Sequence, residues 1–270
     1  MKTEEPQPER LGRRCSMNWI RLVEDKVALV TGGASGIGRA TAQLLAQHGA
    51  CVIVADLNAE GGYETVESIR GRGGEALFVQ TDVGNIDQVS RMVETCLDRF
   101  GRLDIVHSNA AAYKSGSATD ISEDEWDQTH AVCLKSTWML AKFAMPAMLR
   151  QESGVFIITA SVQSIRGYAK HAAYQAAKGG VVSLMRSLAA DYAPRIRVNA
   201  ILPGAVLTGL AAGLSASELE RVAQMCPLKR NAQPEEIATV ALFLASEMSA
   251  YVTGACLIVD GGLSSVMKTD

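Results

Sequence analysis

Three side chains in the second half of the chain have types and a spacing that could exchange a proton with a substrate oxygen. Tyr174 and Lys178 are four residues apart in the helically spaced stretch AAYQAAKGGVVSLM, so they share one face of a helix. Ser161 lies 13 residues before Tyr174, at the end of the apolar run GVFIITAS. A phenol titrates at about 10, and a neighbouring ammonium group favours its ionised form. The set predicts Tyr174 as an acid/base, Lys178 as the cation that lowers its pKa, and Ser161 as a hydrogen-bond donor to a carbonyl oxygen.

A glycine cluster follows the first apolar run. The segment TGGASGIG places Gly32, Gly36 and Gly38 between the run KVALVT and a helical pattern, with the spacing G-x3-G-x-G. Glycines let a backbone approach a pyrophosphate closely, and a helix N-terminus directs free N–H groups at the anion. The cluster predicts a phosphate cradle, and its alternative interpretation is a plain turn between a strand and a helix.

Two carboxylates at strand ends bear on the choice of nucleotide. Asp56 closes the second strand, 18 residues after Gly38, where a carboxylate can accept both adenosine ribose hydroxyls and repel a 2′-phosphate. This favours NAD over NADP, although Arg39 is a nearby basic residue that keeps NADP open as an alternative. Asp82 ends the third strand, where it could contact the adenine amino group or act as a helix N-cap.

The elements that must position these residues alternate along the chain. Near-continuous apolar strands separated by helices predict an α/β fold with a doubly wound parallel sheet that is covered on both faces. The predicted strands are 26–31, 51–55, 75–80, 103–107, 154–160, 196–201 and 256–259. The predicted helices are 37–47, 59–71, 85–99, 122–149, 172–192 and 234–245.

Composition limits the classes of protein to which the chain can belong. With 270 residues and 48% hydrophobic content, it can form one sizeable core, which we assign to 23–265, preceded by a flexible extension, 1–22. A net charge of -3 argues against nucleic-acid binding, and no apolar run is long enough to suggest a membrane span. The 6 cysteines have neither disulfide nor zinc spacing, which predicts no metal and a cytoplasmic location.

Taken in order, these motifs resemble the short-chain dehydrogenase/reductase family from about residue 26 to residue 262. The resemblance rests on TGGASGIG, the Tyr-x-x-x-Lys pair with its serine, and SNAA at 108–111, together with Pro203-Gly204 and VDGG at 259–262. It implies a single Rossmann-type domain with a seven-stranded parallel sheet, assembled as a homotetramer. It also implies hydride transfer between NAD(H) and the CH–OH or C=O carbon of a secondary alcohol or ketone.

The resemblance extends the predicted cofactor-binding set beyond the residues argued above. It places Ile37 near the pyrophosphate and nicotinamide, Asn109 near the adenosine ribose, and Val206 and Thr208 near the carboxamide. The complete predicted set is Gly32, Ser35, Gly36, Ile37, Gly38, Asp56, Leu57, Asp82, Val83, Asn109, Ala110, Ala111, Tyr174, Lys178, Pro203, Gly204, Val206 and Thr208.

Two positions depart from the family pattern. Ala111 stands where the family has glycine, and Cys133 stands where the family has a catalytic asparagine. A thiol is a weak donor and acceptor, so it replaces an amide poorly. One hypothesis is that a water still links Lys178 to a backbone carbonyl near Cys133, with reduced turnover. The alternative is that Cys133 only packs.

Substrate residues are expected after Ser161, before Tyr174, and in a mobile lid over about 207–225. The candidates are Gln163, Arg166, Tyr168, His171, Leu207 and Leu210. They leave sugars and polyols, hydroxysteroids, 3-oxoacyl thioesters and simple secondary alcohols open. A non-catalytic dinucleotide-binding protein is the rival class, but such a protein has no need of Ser161, Tyr174 and Lys178 together.

Overall fold

Seven short apolar strands form one sheet in the computed structural model, which describes residues 21–209 and 215–266. All neighbouring strands run parallel, in the order β3-β2-β1-β4-β5-β6-β7. This confirms the predicted doubly wound, seven-stranded sheet. The strands are β1 (Val27–Thr31), β2 (Cys51–Asp56), β3 (Ala76–Gln80), β4 (Ile105–Ser108), β5 (Gly154–Thr159), β6 (Ile196–Pro203) and β7 (Cys256–Val259).

The sheet is buried on both faces because its central strands are apolar at consecutive positions. In β1, Val27 and Leu29 belong to one core cluster, and Ala28 and Val30 belong to the other. Each fully buried Val or Leu side chain contributes roughly 1.5–3 kcal/mol through removal from water. A strand with only one apolar face could not supply both clusters.

Helices cover the two faces. Helices α3, α5 and α6 contribute to the first cluster, and α1, α2 and α8 contribute to the second. The helices are α1 (Gly36–Gln47), α2 (Ala59–Arg70), α3 (Ile86–Phe100), α4 (Glu123–His130), α5 (Ser136–Arg150), α6 (Ala172–Tyr192), α7 (Ala216–Met225) and α8 (Pro234–Ala245).

Two helical features differ from the sequence prediction. The single helix predicted over 122–149 is divided into α4 and α5 by a π-helical turn, Ala131–Lys135, which contains Cys133. Helix α7 was not among the predicted helices. It begins with a capping box between Ser215 and Glu218 and lies within the predicted lid.

Parallel pairing brings the carboxyl ends of the strands to one edge of the sheet. Residues of the predicted site follow directly from these ends, because β2 ends at Asp56, β5 stops two residues before Ser161 and β6 ends at Pro203. Ligands of open α/β sheets bind at this edge.

Most of the predicted N-terminal extension, residues 1–20, lies outside the described residues. Of its last two residues, Arg21 pairs with Glu24, and Leu22 packs against the second core cluster.

Candidate active site

The glycine loop between β1 and α1 has no room for side chains at its three key positions. A Cβ on Gly38 would overlap the carbonyl oxygen of Gly32, and a Cβ on Gly32 would lie 2.9 Å from the Asn109 side-chain nitrogen. Gly32 and Gly36 have φ values of 67° and 51°, which few other residues adopt. Ser35 is the N-cap of α1, but its side chain caps none of the first helical amides. The loop is therefore a tight turn that leaves the first amides of α1 without a side-chain cap, an arrangement that could hold a pyrophosphate.

Asp56 is fixed at the rim of this loop. One carboxylate oxygen accepts a hydrogen bond from the Ala34 N–H at 3.0 Å, and the other accepts from the Asn58 N–H at 2.9 Å. The carboxylate stays at the end of β2, next to the glycine loop, where the sequence argument places the adenosine ribose.

Arg39 does not extend freely toward that position. Its Nε donates to the Ala34 carbonyl at 2.9 Å, and its Nη2 pairs with the Glu64 carboxylate at 2.9 Å. The same Nη2 also donates to the Gly61 carbonyl at 3.2 Å. Groups of the chain thus engage Nε and Nη2 of Arg39.

Three further residues of the predicted cofactor-binding set, Leu57, Asp82 and Val83, follow the neighbouring strands β2 and β3. Asp82 accepts a hydrogen bond from the Gly84 N–H at 2.8 Å, and the N-cap of α3 is Asn85, so Asp82 does not cap this helix. Val83 is buried in the first core cluster, whereas Leu57 is 65% exposed.

Asn109, directly after β4, is hydrogen-bonded to Thr31 at the end of β1. Its backbone N–H donates to the Thr31 hydroxyl at 2.9 Å, and its side-chain amide donates to the Thr31 carbonyl at 3.0 Å. The Ala110 N–H shares the same hydroxyl at 3.2 Å. The methyl group of Ala111 packs against the small cluster formed by Cys133, Tyr174 and Ala177.

Ser161, Tyr174 and Lys178 converge beside this segment. All three are buried, and Tyr174 is 9% exposed. The Ser161 hydroxyl is placed to hydrogen-bond with the Tyr174 phenol. The Lys178 ammonium donates to the Thr159 carbonyl at 2.6 Å and lies 5.6 Å from the centre of the Tyr174 ring. The structure therefore brings together the three residues that the sequence predicts to be catalytic.

Within the chain, the pKa of Tyr174 is shifted in the direction opposite to the one that the sequence predicts. Burial raises the pKa of Tyr174, and its Ser161 hydrogen bond opposes this rise only in part. Burial also lowers the pKa of Lys178. Groups of the chain alone thus keep Tyr174 as a neutral phenol, which is the proton-donating form.

Cys133 replaces an amide better than its chemistry suggested. Its thiol donates to the Ala112 carbonyl at 3.1 Å, and the Ala112 N–H donates back to the sulfur at 3.4 Å. Both hydrogen-bonding groups of one backbone residue are satisfied by one side chain. The thiol therefore fixes the loop after β4 against the π-helical turn.

A polar network forms one wall beside Tyr174. The His171 Nδ1 lies 2.7 Å from the Gln163 side-chain oxygen, and its Nε2 lies 3.0 Å from the Tyr113 hydroxyl. The Tyr113 ring meets the Tyr174 ring edge-on at 5.5 Å, and Tyr168 stacks on His171 at 6.0 Å. Burial lowers the pKa of His171, so this wall is uncharged at neutral pH.

The other predicted substrate residues are less closely connected to the site. Arg166 and Leu207 are exposed, and Leu210 lies outside the described residues.

The segment after β6 returns to the glycine loop. Pro203 ends β6, and a Cβ on Gly204 would lie 2.8 Å from the Asp260 Cβ. Val206 forms an isolated parallel bridge with Ala232. Thr208 then lies over Gly36, where a Cβ would be 3.0 Å from its methyl carbon. Ile37, the next residue of the loop, is half-buried.

Three residues of the site were missed by the sequence analysis. Tyr113 lies four residues after Asn109 at the carboxyl end of β4, a position that could have marked it as a site residue. Thr159 precedes Ser161 by two residues, so the alternation of a strand could have placed both on one face. His107 sits within an apolar strand, and its contacts with these groups have no signal in the sequence.

Within 21–209 and 215–266, no group of three or more His, Cys, Asp or Glu side chains could hold a metal ion. In the same ranges, no helix is both long and apolar enough to cross a bilayer.

Comparisons with known proteins agree with this geometry. Residues 32–264 match the sequence family described as enoyl-(acyl carrier protein) reductase. Trans-4-hydroxycyclohexanecarboxylate dehydrogenase of Sinomonas cyclohexanicum is 40% identical and covers 89% of this chain and 93% of its own length. A 3-oxoacyl-(acyl-carrier-protein) reductase of Thermotoga maritima is 37% identical and covers 89% of this chain and 98% of its own.

Solved structures show the same architecture. A putative NAD(P)-dependent gluconate 5-dehydrogenase from Beutenbergia cavernae, solved with NADP at low occupancy, superposes with a TM-score of 0.87 at 34% identity. The match covers 92% of this chain and 100% of that one. The chain belongs to the short-chain dehydrogenase/reductase family of oxidoreductases.

Proposed function

We propose that the chain transfers a hydride between NAD(H) and the CH–OH or C=O carbon of a secondary alcohol or ketone. The observation that carries this proposal is the convergence of buried Ser161, Tyr174 and Lys178 at the sheet edge that also bears the glycine loop. When bound there, nicotinamide supplies the hydride donor or acceptor. The residues of the chain supply the proton and hold the substrate oxygen.

Each catalytic side chain has a distinct role in this proposal. The Tyr174 phenol gives its proton to the substrate oxygen in reduction and takes it back in oxidation. Ser161 hydrogen-bonds the same oxygen and fixes it near the phenol. Lys178 holds the nicotinamide ribose and adds positive charge beside Tyr174. Burial raises the pKa of Tyr174 within the chain, so oxidation also requires the positive charge of the oxidised nicotinamide ring.

NAD is the proposed cofactor because of Asp56 and Arg39. The carboxylate at the end of β2 is fixed where it accepts ribose hydroxyls and repels a 2′-phosphate. The guanidinium of Arg39 is engaged by Glu64 and two carbonyls. NADP remains the alternative because the Beutenbergia neighbour was solved with NADP.

The cofactor proposal is tested by comparing kcat/KM for the two dinucleotides. We expect the wild type to favour NAD, and Asp56→Ala to reduce this preference at least tenfold by removing the charge repulsion. Glu64→Gln is the second variant, because it loosens Arg39 without touching the ribose position. Equal use of both cofactors by the wild type would contradict the proposal.

The substrate is a small alcohol or ketone that contacts a neutral polar wall. The relatives' names cover trans-4-hydroxycyclohexanecarboxylate and 3-oxoacyl-(acyl-carrier-protein), which have in common a secondary alcohol or ketone carbon. Sugars, polyols, hydroxysteroids and simple alcohols belong to the same chemical class. A panel drawn from all these groups, followed at the absorbance of reduced nicotinamide, identifies the preferred substrate.

The catalytic proposal is tested by Tyr174→Phe on the best substrate of that panel. We expect kcat to fall by about 10²–10⁴-fold, the range of general acid–base contributions, while NAD binding changes little. If the wild type turns over none of the substrates in the panel but binds NAD tightly, the protein belongs instead to the non-catalytic dinucleotide-binding class.

A further inference from the structure

A histidine lies at the centre of the sheet, below the catalytic residues. His107 is a residue of β4 and is fully buried, at 0% exposure. Its Nε2 is 2.8 Å from the Thr159 hydroxyl on the neighbouring strand β5. Its Nδ1 is buried and has no hydrogen-bond partner among the described residues. Burial of a polar side chain in an apolar strand costs free energy unless the side chain is hydrogen-bonded.

The direction of the hydrogen bonds around Thr159 can be derived from its neighbours. The Asn109 side-chain nitrogen donates to the Thr31 carbonyl at 3.0 Å, which fixes the orientation of this amide. Its oxygen must then accept, and the Thr159 hydroxyl donates to it at 3.0 Å. A hydroxyl has one proton, so Thr159 can only accept from His107. His107 therefore carries its proton on Nε2.

This chain of hydrogen bonds joins both halves of the site. At one end, Asn109 contacts Thr31 and borders Gly32 of the glycine loop. At the other end, the backbone carbonyl of Thr159 receives the Lys178 ammonium at 2.6 Å. Thr159 thus contacts Asn109 through its side chain and Lys178 through its backbone carbonyl.

We propose that His107 is a positioning residue. As a neutral Nε2–H donor it fixes the Thr159 hydroxyl, and the Thr159 hydroxyl in turn fixes the Asn109 side chain beside the glycine loop. The part of this inference that concerns dinucleotide binding rests on the proposed function. The tautomer of His107 and its link to Thr159 do not.

The surroundings keep this imidazole neutral. Burial, with Lys178 nearby, lowers the pKa of His107 to about 3. A protonated ring would place a second cation beside a buried ammonium without a counter-charge. His107 consequently remains a single tautomer across the pH range in which the enzyme is expected to work.

The tautomer is tested first, on the wild-type chain without added cofactor. The sequence has 4 histidines, so ¹⁵N-histidine labelling gives few signals, and the signals absent in His107→Gln identify residue 107. We expect a protonated Nε2, an unprotonated Nδ1 and no titration between pH 5 and pH 8. A proton on Nδ1, or titration within this range, would overturn the proposal.

Binding of NAD alone is measured next, by calorimetry, on three variants. His107→Leu removes the donor at similar volume, and we expect NAD affinity to fall about threefold to tenfold, as for one lost hydrogen bond. His107→Gln can place an N–H near the same point and should restore most of this affinity. Thr159→Val removes the hydroxyl but keeps the carbonyl that receives Lys178.

The double variant His107→Leu/Thr159→Val distinguishes positioning from a general packing defect. If His107 acts through Thr159, the double variant binds NAD no more weakly than Thr159→Val alone. If the fold-losses of NAD affinity in the two single variants multiply in the double variant, the proposed link between His107 and Thr159 is wrong. If the wild type does not bind NAD, the proposed function fails, whereas the tautomer result still decides the assignment of His107.

Discussion

At the scale of single residues, the environment of Tyr174 determines what its phenol can do. Tyr113 comes from the loop after β4, Cys133 from the π-helical turn, and Ser161 from the end of β5, and all three adjoin the same ring. Sequence spacing identifies Tyr174 and Lys178 because an interval of four residues puts them on one helical face. The position of Tyr113 after β4 could mark it as a site residue, but spacing cannot predict its contact with Tyr174, because that contact depends on where a loop folds.

The role of Tyr113 is tested by removing only its hydroxyl. Tyr113→Phe keeps the edge-on contact with Tyr174 but loses the hydrogen bond to His171. We expect kcat/KM to fall about threefold to tenfold, as for one lost hydrogen bond, with NAD affinity unchanged. Tyr168→Phe is the matched control, because its ring stacks on His171 while its backbone makes the hydrogen bonds to Gln175. Equal losses in the two variants would contradict a specific role for Tyr113.

At the scale of elements, the π-helical turn shows where the sequence pattern is insufficient. The helical periodicity over 122–149 correctly indicates helix on both sides of Cys133. The spacing of apolar residues does not reveal the one extra residue in the π-helical turn. The thiol of Cys133 gains two contacts with Ala112 at this place. The departure from the family's asparagine is therefore compatible with an ordered site.

Cysteine-to-alanine variants separate the stability of this turn from its effect on catalysis. Cys133→Ala and Cys96→Ala each remove one buried sulfur, and we expect each to lower the free energy of unfolding by about 1–3 kcal/mol. Only Cys133→Ala should also lower kcat, because Cys96 contacts the Arg102 carbonyl, away from the site. Urea unfolding and steady-state kinetics give the two quantities. An unchanged kcat in Cys133→Ala would show that the thiol only packs.

The water-relay hypothesis at Cys133 has its own test. Cys133→Asn introduces the amide that the family has at this position, and the hypothesis expects a higher rate and an altered pH profile. The relay hypothesis fails if neither the rate nor the profile of this variant changes.

The close packing of Gly38 against the Gly32 carbonyl gives a test of the role of the glycine loop in NAD binding. Gly38→Ala places a methyl group onto the Gly32 carbonyl, so the loop must move, and we expect NAD affinity to fall at least tenfold. Gly167→Ala is the control, because a Cβ there meets nothing within 4 Å and its φ is not positive. Calorimetric titration with NAD gives both affinities. Retention of full affinity in Gly38→Ala would rule out a tightly packed phosphate loop.

At the scale of the whole molecule, apolar runs and their alternation with helices were sufficient to predict a doubly wound parallel sheet. Strands such as β1 supply both core clusters, and this requires helices on each face. The pairing of buried polar groups across strands could not be predicted. His107 and Thr159 are 52 positions apart, and their contact depends on the register of β4 against β5. A polar residue in an apolar strand signals only that some partner must exist.

That buried histidine also makes the stability of the whole fold depend on pH. The pKa of His107 is about 3 in the folded chain and about 6.5 when unfolded, so the unfolded state binds more protons between these values. Stability from this group is fully present above pH 6.5 and is lost as pH falls toward 3, by up to about 1.4 kcal/mol per pH unit. The variant His107→Gln lacks this proton uptake. Urea unfolding at several pH values between 7 and 4.5 should therefore show the wild type losing stability faster than the variant. Parallel curves would mean that the pKa of His107 is the same in the folded and unfolded states.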